Sequence, residues 1–176
     1  MHKTIFLVGA RAAGKTSLGG MLATAINWRF SDTDIHILNT SKMTVEDIVK
    51  AEGWPGFRKR ESQALRDVTG HNVVIATGGG MILAEENRKF MKENGTVFYL
   101  SAPAEILAER LIAGPKHTNR PSLTGRPLHE EIAEVLNQRE ELYQDAAHYV
   151  VDASKTMEQV RENVLEILNS RPLKTQ

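Results

Sequence analysis

The run Gly9-Ala10-Arg11-Ala12-Ala13-Gly14-Lys15-Thr16, set directly after the apolar Thr4-Ile5-Phe6-Leu7-Val8, narrows the fold more than any other stretch of the chain. A helical pattern follows it, from Ser17 through Ile26. Strand, glycine-flanked loop, lysine, hydroxyl residue and helix together make the pattern G-x-x-x-x-G-K-[ST] of a phosphate-binding loop. Such a loop turns backbone N–H groups inward, and the positive end of the next helix points to the same place, so polyphosphate is held there. Lys15 can reach the β- and γ-phosphates, and the Thr16 hydroxyl can ligate a Mg²⁺ that touches those phosphates. Arg11, Ala12, Ala13, Gly14, Lys15, Thr16 and Ser17 are therefore the candidate nucleotide-binding residues. Alanine at position 12 is unusual, because glycine is common in the middle of such a loop. If that position needs a positive φ, Ala12 costs on the order of 1 kcal/mol.

The rest of the composition is ordinary for a globular chain and serves mainly to exclude. With 176 residues, the chain fits one domain, 1–176, with a sizeable core. Lys and Arg number 22 and Asp and Glu 22, so no net field favours nucleic acid or an anionic membrane as partner. Cysteine is absent, which removes disulfides, thiol catalysis and Cys-ligated zinc. No apolar run approaches the roughly 18 residues of a membrane span, and the apolar start is too short before Gly9 for a signal peptide. A cytoplasmic monomer is the expectation.

Further along, apolar runs recur at Val73 to Ala76, Val97 to Leu100 and Tyr149 to Val151, with a weaker one at Trp28 to Ser31. Runs without alternation, separated by amphipathic helices, predict a parallel sheet covered on both faces. Thr44-Val45-Glu46-Asp47 is a capping-box-like helix start. Pro103 suits the first turn of a helix through Leu107 and Leu111. His129 to Tyr143 is helical with Ile132, Val135, Leu136 and Leu142 on one face, and a last helix covers about Met157 to Leu168. From Arg171 the chain reads as a frayed tail. Between Gly114 and Pro127 no period holds, and a polar loop of that length in a compact domain reads as an active-site lid, about 112–126.

Several short stretches gain meaning beside the loop. Asp32-Thr33-Asp34 follows the second strand, at the carboxyl edge where α/β sheets bind ligands. Two carboxylates two residues apart project differently, so one can face Mg²⁺ and the other a substrate hydroxyl; the plainer alternative is an N-cap for a helix starting near Ile35. Thr77-Gly78-Gly79-Gly80 follows the third strand, where glycines let backbone amides approach a ligand closely; the alternative is a tight turn before a helix of Glu85 to Phe90. Arg58 and Glu61 could be a surface i,i+3 pair. Arg120 lies where a closing lid could lay a guanidinium on a transferring phosphoryl group. Arg139 is mid-helix; two converging arginines would suit an acidic substrate, but spacing does not show that they converge. Trp54 reads as packing, with a substrate-facing role open. The six histidines show no ligand spacing.

Taken in order, Gly9 to Thr16, Asp32-Thr33-Asp34, Gly56-Phe57-Arg58-Lys59-Arg60-Glu61, Gly78-Gly79-Gly80, Arg120-Pro121 and Arg139-Glu140-Glu141-Leu142-Tyr143 resemble the shikimate kinase family over nearly the whole chain. The resemblance implies a three-layer α/β/α P-loop kinase fold: a five-stranded parallel sheet, a substrate-binding helical region of about 33–61, and a lid. It implies ATP-dependent phosphorylation of the 3-hydroxyl of shikimate, a step of aromatic amino-acid biosynthesis, with ATP and Mg²⁺ as cofactors. Metal contacts fall on Thr16 and Asp32, and shikimate contacts on Asp34, Arg58, Gly79 and Arg139, with Gly78 and Gly80 flanking. Lys15, Asp34 and Arg120 take the catalytic roles. Arg120 matches the family's lid arginine and Arg110 one that packs on adenine. Two other readings compete: a same-fold kinase for gluconate or a nucleoside monophosphate, and a nucleotide-dependent switch without an acceptor. The absence of an N-K-x-D pattern weighs against a guanine-reading switch.

Overall fold

A computed structural model describes residues 4–114 and 122–170. In chain order the elements are β1 (Thr4–Val8), α1 (Lys15–Ala25), β2 (Arg29–Asp32), α2 (Thr33–Ser41), α3 (Val45–Val68), β3 (Val73–Ala76), a single 3-10 turn (Met81–Leu83), α4 (Glu85–Asn94), β4 (Thr96–Ser101), α5 (Ala104–Ala113), α6 (Leu128–Ala146), β5 (Tyr149–Asp152) and α7 (Met157–Asn169). The five strands form one sheet in the order β2-β3-β1-β4-β5. Every pairing is parallel, as the unalternating apolar runs predict.

β1 lies at the centre and is buried along its whole length. Its side chains divide with the period of two that a strand imposes. Ile5 and Leu7 join Val74, Phe98 and Leu100 in a core with Leu18 and Leu22 of α1 and Val160 and Val164 of α7. Phe6 and Val8 join Val73, Ile75, Val97 and Tyr99 on the other face, against Leu65 of α3, Met91 of α4 and Tyr143 of α6. Three layers follow from that division. A third, smaller core of Ile37, Ile48, Phe57 and Ala64 ties α2 to α3 away from the sheet.

The helix signals resolve in detail. Thr44 caps α3, its hydroxyl accepting from the Asp47 N–H while the Asp47 carboxylate accepts from the Thr44 N–H, a complete capping box. Thr156 and Gln159 close a second box at the start of α7. Pro103 sits at the N-cap of α5, one place before the first turn expected of it. The sequence reading has no break inside α3, yet Gly53 there adopts φ 68°, ψ 177° and Pro55 follows, so the helix kinks before Arg58. Arg171 and the tail beyond lie outside the described residues, as does the middle of the expected lid. No helix among the described residues is long and apolar enough to cross a membrane.

Candidate active site

The carboxyl ends of β1, β2 and β3 gather the chemistry-bearing residues at one edge of the sheet. The loop leaving β1 turns through an Ala13 N–H to Ala10 carbonyl bond of 3.2 Å. Gly9, at φ 149°, leaves no room for a side chain, since a Cβ there would stand 2.7 Å from the Leu100 carbonyl oxygen. Gly14 caps α1 at φ 93°. Ala12 stands at φ 65°, the left-handed conformation that its sequence position puts in question. An L-residue pays roughly 1–2 kcal/mol there, and glycine's freedom in the unfolded chain returns about 0.4–1 kcal/mol of that. Ala12→Gly is therefore expected to raise the thermal midpoint by about 1–4 °C, read by calorimetry.

Lys15 is buried at the loop, its Nζ donating to the Gly9 and Ala10 carbonyls at 2.7 Å each. The ammonium thus stands where the loop's N–H groups and the start of α1 meet. Thr16 Oγ1 lies 2.7 Å from Asp32 Oδ2. The other carboxylate oxygen, Oδ1, accepts from the Asp34 N–H at 2.9 Å and the Ile35 N–H at 3.2 Å. Asp32 is therefore both N-cap of α2 and half of the hydroxyl–carboxylate pair; the two readings of that residue are compatible, one per oxygen. A hydroxyl and a carboxylate are hard oxygen donors of the kind Mg²⁺ takes, and that ion fills its remaining positions with water and phosphate oxygens. The loop and its helix end likewise fit a nucleoside triphosphate.

Between the acidic residues, Thr33 is fully buried and its hydroxyl accepts from the Gly78 N–H at 3.0 Å, fastening the glycine turn to β2. The three glycines do not serve unusual backbone angles, since none of them has a positive φ. Two of them clear space. A Cβ on Gly78 would lie 2.7 Å from Glu61 Oε1 and 2.9 Å from Asp34 Oδ1, and one on Gly80 would lie 2.0 Å from the Arg58 guanidinium. Gly79 offers its carbonyl, which accepts from Tyr143 Oη at 2.6 Å and from Arg139 at 3.3 Å. This glycine run makes room for the side chains opposite it. It does also form the turn, into the Met81–Leu83 3-10 segment.

Arg58 pairs with Glu61, as the i,i+3 spacing allows, but the pair is not a surface one. Glu61 is 1% exposed, and the guanidinium lies 5.2 Å from the Trp54 ring and 5.5 Å from Phe57. A buried carboxylate with a single-turn arginine partner fixes that arginine firmly, since breaking such a pair leaves an uncompensated charge. Arg58 and Arg139 line one cavity, together with Arg11, Trp54, Leu123 and Glu131. Tyr143 stacks on Tyr99 at 5.0 Å between ring centres, and Tyr99 donates to Glu140 at 2.6 Å. Burial pushes the Tyr143 hydroxyl well up despite Arg139 and Arg58 nearby, so it stays a donor to Gly79.

Arg110, in the last turn of α5, donates to the Ala153 carbonyl at 2.7 Å, beside the β5–α7 connection. Met157, the first residue of α7, lies over Gly14. Arg120 lies outside the described residues. Sequence reasoning missed Thr33, Glu61, Tyr143 and Glu131 as parts of the site. Thr33, Glu61 and Tyr143 stand within the motifs that carry the family resemblance, so a signal existed, although Glu61 reads locally as a surface partner of Arg58; Glu131 looks like surface charge in sequence.

The shikimate kinase family model matches residues 11–169. A shikimate kinase 2 from Syntrophotalea carbinolica is 59% identical over 171 residues, spanning 97% of this chain and 99% of its own. One from Serratia proteamaculans is 54% identical over 99% of this chain and 100% of its own. Among solved structures, shikimate kinase from Acinetobacter baumannii in complex with shikimate superposes with a TM-score of 0.91 at 34% identity, covering 99% of this chain and 97% of that one. With loop, carboxylate pair and arginine-lined cavity in the family's order, this chain belongs to the shikimate kinase family.

Proposed function

We propose that the chain transfers the γ-phosphoryl group of ATP to the 3-hydroxyl of shikimate, giving shikimate 3-phosphate and ADP. The observation that carries the reading is the shared cavity of Arg58 and Arg139, with Asp34 opposite Gly78 and the phosphate loop alongside. Two guanidinium forks suit a carboxylate bidentately. Asp34 accepts a hydrogen bond from a ring hydroxyl and orients the 3-hydroxyl. The hydroxyl oxygen forms a bond to Pγ as the bond from Pγ to the β–γ bridging oxygen breaks; the hydroxyl proton passes to Asp34 and the electron pair leaves with ADP. Lys15 stabilises charge spreading over the phosphoryl oxygens, and positioning with electrostatics supplies most of the rate. Mg²⁺, held by Thr16 and Asp32, would neutralise phosphate charge. Arg11 to Ser17 hold the triphosphate and Arg110 packs on adenine. The expected lid of about 112–126 would supply Arg120 to the transferring group, with residues 122–124, fastened to Glu131, as its anchored end.

Gly80→Ala tests the acceptor site without replacing a charged residue. The new methyl would stand 2.0 Å from the Arg58 guanidinium and push it against its hold on Glu61, and a thermal midpoint measured alongside separates misplacement from unfolding. Misplacing Arg58 is expected to raise the shikimate KM by about tenfold, within the range one charge-assisted bond commands. ADP release with Mg·ATP, measured with shikimate, gluconate or AMP as acceptor, tests the activity itself. Release that depends on shikimate and yields shikimate 3-phosphate supports the reading. Acceleration by gluconate or AMP alone overturns the acceptor assignment.

A further inference from the structure

The polar contacts just before α6 centre on one carboxylate oxygen. Glu131 Oε2 accepts from the Leu123 N–H at 3.1 Å, the Thr124 N–H at 3.0 Å, the Thr124 hydroxyl at 3.0 Å and the Ser122 hydroxyl. Ser122, whose hydroxyl donates a hydrogen bond to Glu131, accepts with the same oxygen from the Gly125 N–H at 2.7 Å. Thr124 Oγ1 in turn accepts from the Arg126 N–H at 3.3 Å. Burial works against a charge on Glu131, but these donors outweigh it and hold the carboxyl below the usual carboxylate range. The segment they fasten carries Leu123, which lines the same cavity as Arg58 and Arg139, as does Glu131 itself.

We infer that Glu131 is a positioning residue for the acceptor cavity: it clamps residues 122–124 so that Leu123 stands as a fixed wall facing the two arginines. This rests on the shikimate reading above. A bare carboxylate in that cavity would repel an acidic acceptor, and its removal would lower the acceptor's KM. Four donors converging on one oxygen draw the charge into the loop instead, so removal is expected to act in the opposite sense. Loosening a wall by about an ångström is enough for a large loss.

The test uses Glu131→Ala in the full chain, with Glu130→Gln as control. Glu130 shares the first turn of α6 but its carboxylate lies near His129, at 3.8 Å, and not against residues 122–124. Glu131→Ala is expected to raise the shikimate KM, and the shikimate Kd read by calorimetry, by about tenfold, with the KM for ATP within about twofold of the parent. Adding Thr124→Ala to it should cost less than Thr124→Ala alone does, because clasped partners are not additive. A shikimate KM that falls or stays unchanged overturns the clamp. Amide exchange at Leu123 and Thr124, expected to quicken at least about fivefold in Glu131→Ala, judges the clamp independently of any acceptor. Should the parent enzyme ignore shikimate, the acceptor reading fails, while unchanged exchange rates are what would sink the clamp.

Discussion

Replacing Lys15 by methionine is expected to lower kcat by about 10²–10³-fold, the loss typical of removing one donor aimed at developing charge in a water-excluded site. The expectation follows from where the ammonium sits. It is buried against the Gly9 and Ala10 carbonyls, so water does not replace it when it is gone, and the fixed start of α1 holds its stem in place. Methionine keeps the length of that stem and isolates the charge. The effect should fall on turnover and leave the shikimate KM within a few-fold, because the proposed role of the residue is toward phosphate and not toward the acceptor. Steady-state kinetics over both substrates make the split visible. A Lys15→Met enzyme with parental kcat would mean that phosphoryl charge is stabilised elsewhere.

The second large effect is expected at Arg139, and on the opposite parameter. Arg139→Ala removes one of the two guanidiniums proposed to take the carboxylate and leaves the Gly79 carbonyl with the Tyr143 hydroxyl as donor. A hydrogen bond to a charged group is worth about 1.5–3 kcal/mol, or roughly 10–150-fold, and here it is expected chiefly in the shikimate KM. Tyr143→Phe should show the same signature more weakly, about threefold to tenfold, since it removes one neutral hydrogen bond and leaves the guanidinium in place but less firmly aimed. Arg139→Ala with unaltered shikimate kinetics would refute the carboxylate clamp, whatever became of Lys15.

The contrast between these two residues shows what can be read from sequence. Lys15 is legible because its neighbours in sequence are its neighbours in space: a loop of eight residues builds its own site. The same holds for the strands, whose uninterrupted apolar runs reflect burial on both faces, and for the Thr44 capping box. Arg139 is legible only through the family's order of motifs, since its partner across the cavity lies about eighty residues earlier, on another helix. Glu61 and Glu131 defeat local reasoning for a physical reason. A carboxylate at helical spacing from an arginine, or in the first turn of a helix, has an adequate local explanation, and only the tertiary fold shows that one is 1% exposed and the other takes four donors from a loop. The kink at Gly53 had a local signal in Gly53-Trp54-Pro55-Gly56, since a proline inside a helical pattern bends or ends the helix.

The central place of β1 also sets a timetable for the chain. Ile5 pairs beside Val74 on one side and Thr96 on the other, so its neighbours on the two flanks are made some seventy and ninety residues later. At synthesis rates of 5–20 residues per second, that leaves the central, fully buried strand waiting roughly 4–18 s for its partners. During that interval its edges can pair with whatever else is near, and early α1, which packs on the same strand, is the cover available first. Stability of the finished sheet therefore says little about yield. Substitutions that make the Thr4–Val8 segment stickier without altering the native core should reveal themselves as aggregation during expression, in a protein that, once folded, melts as before.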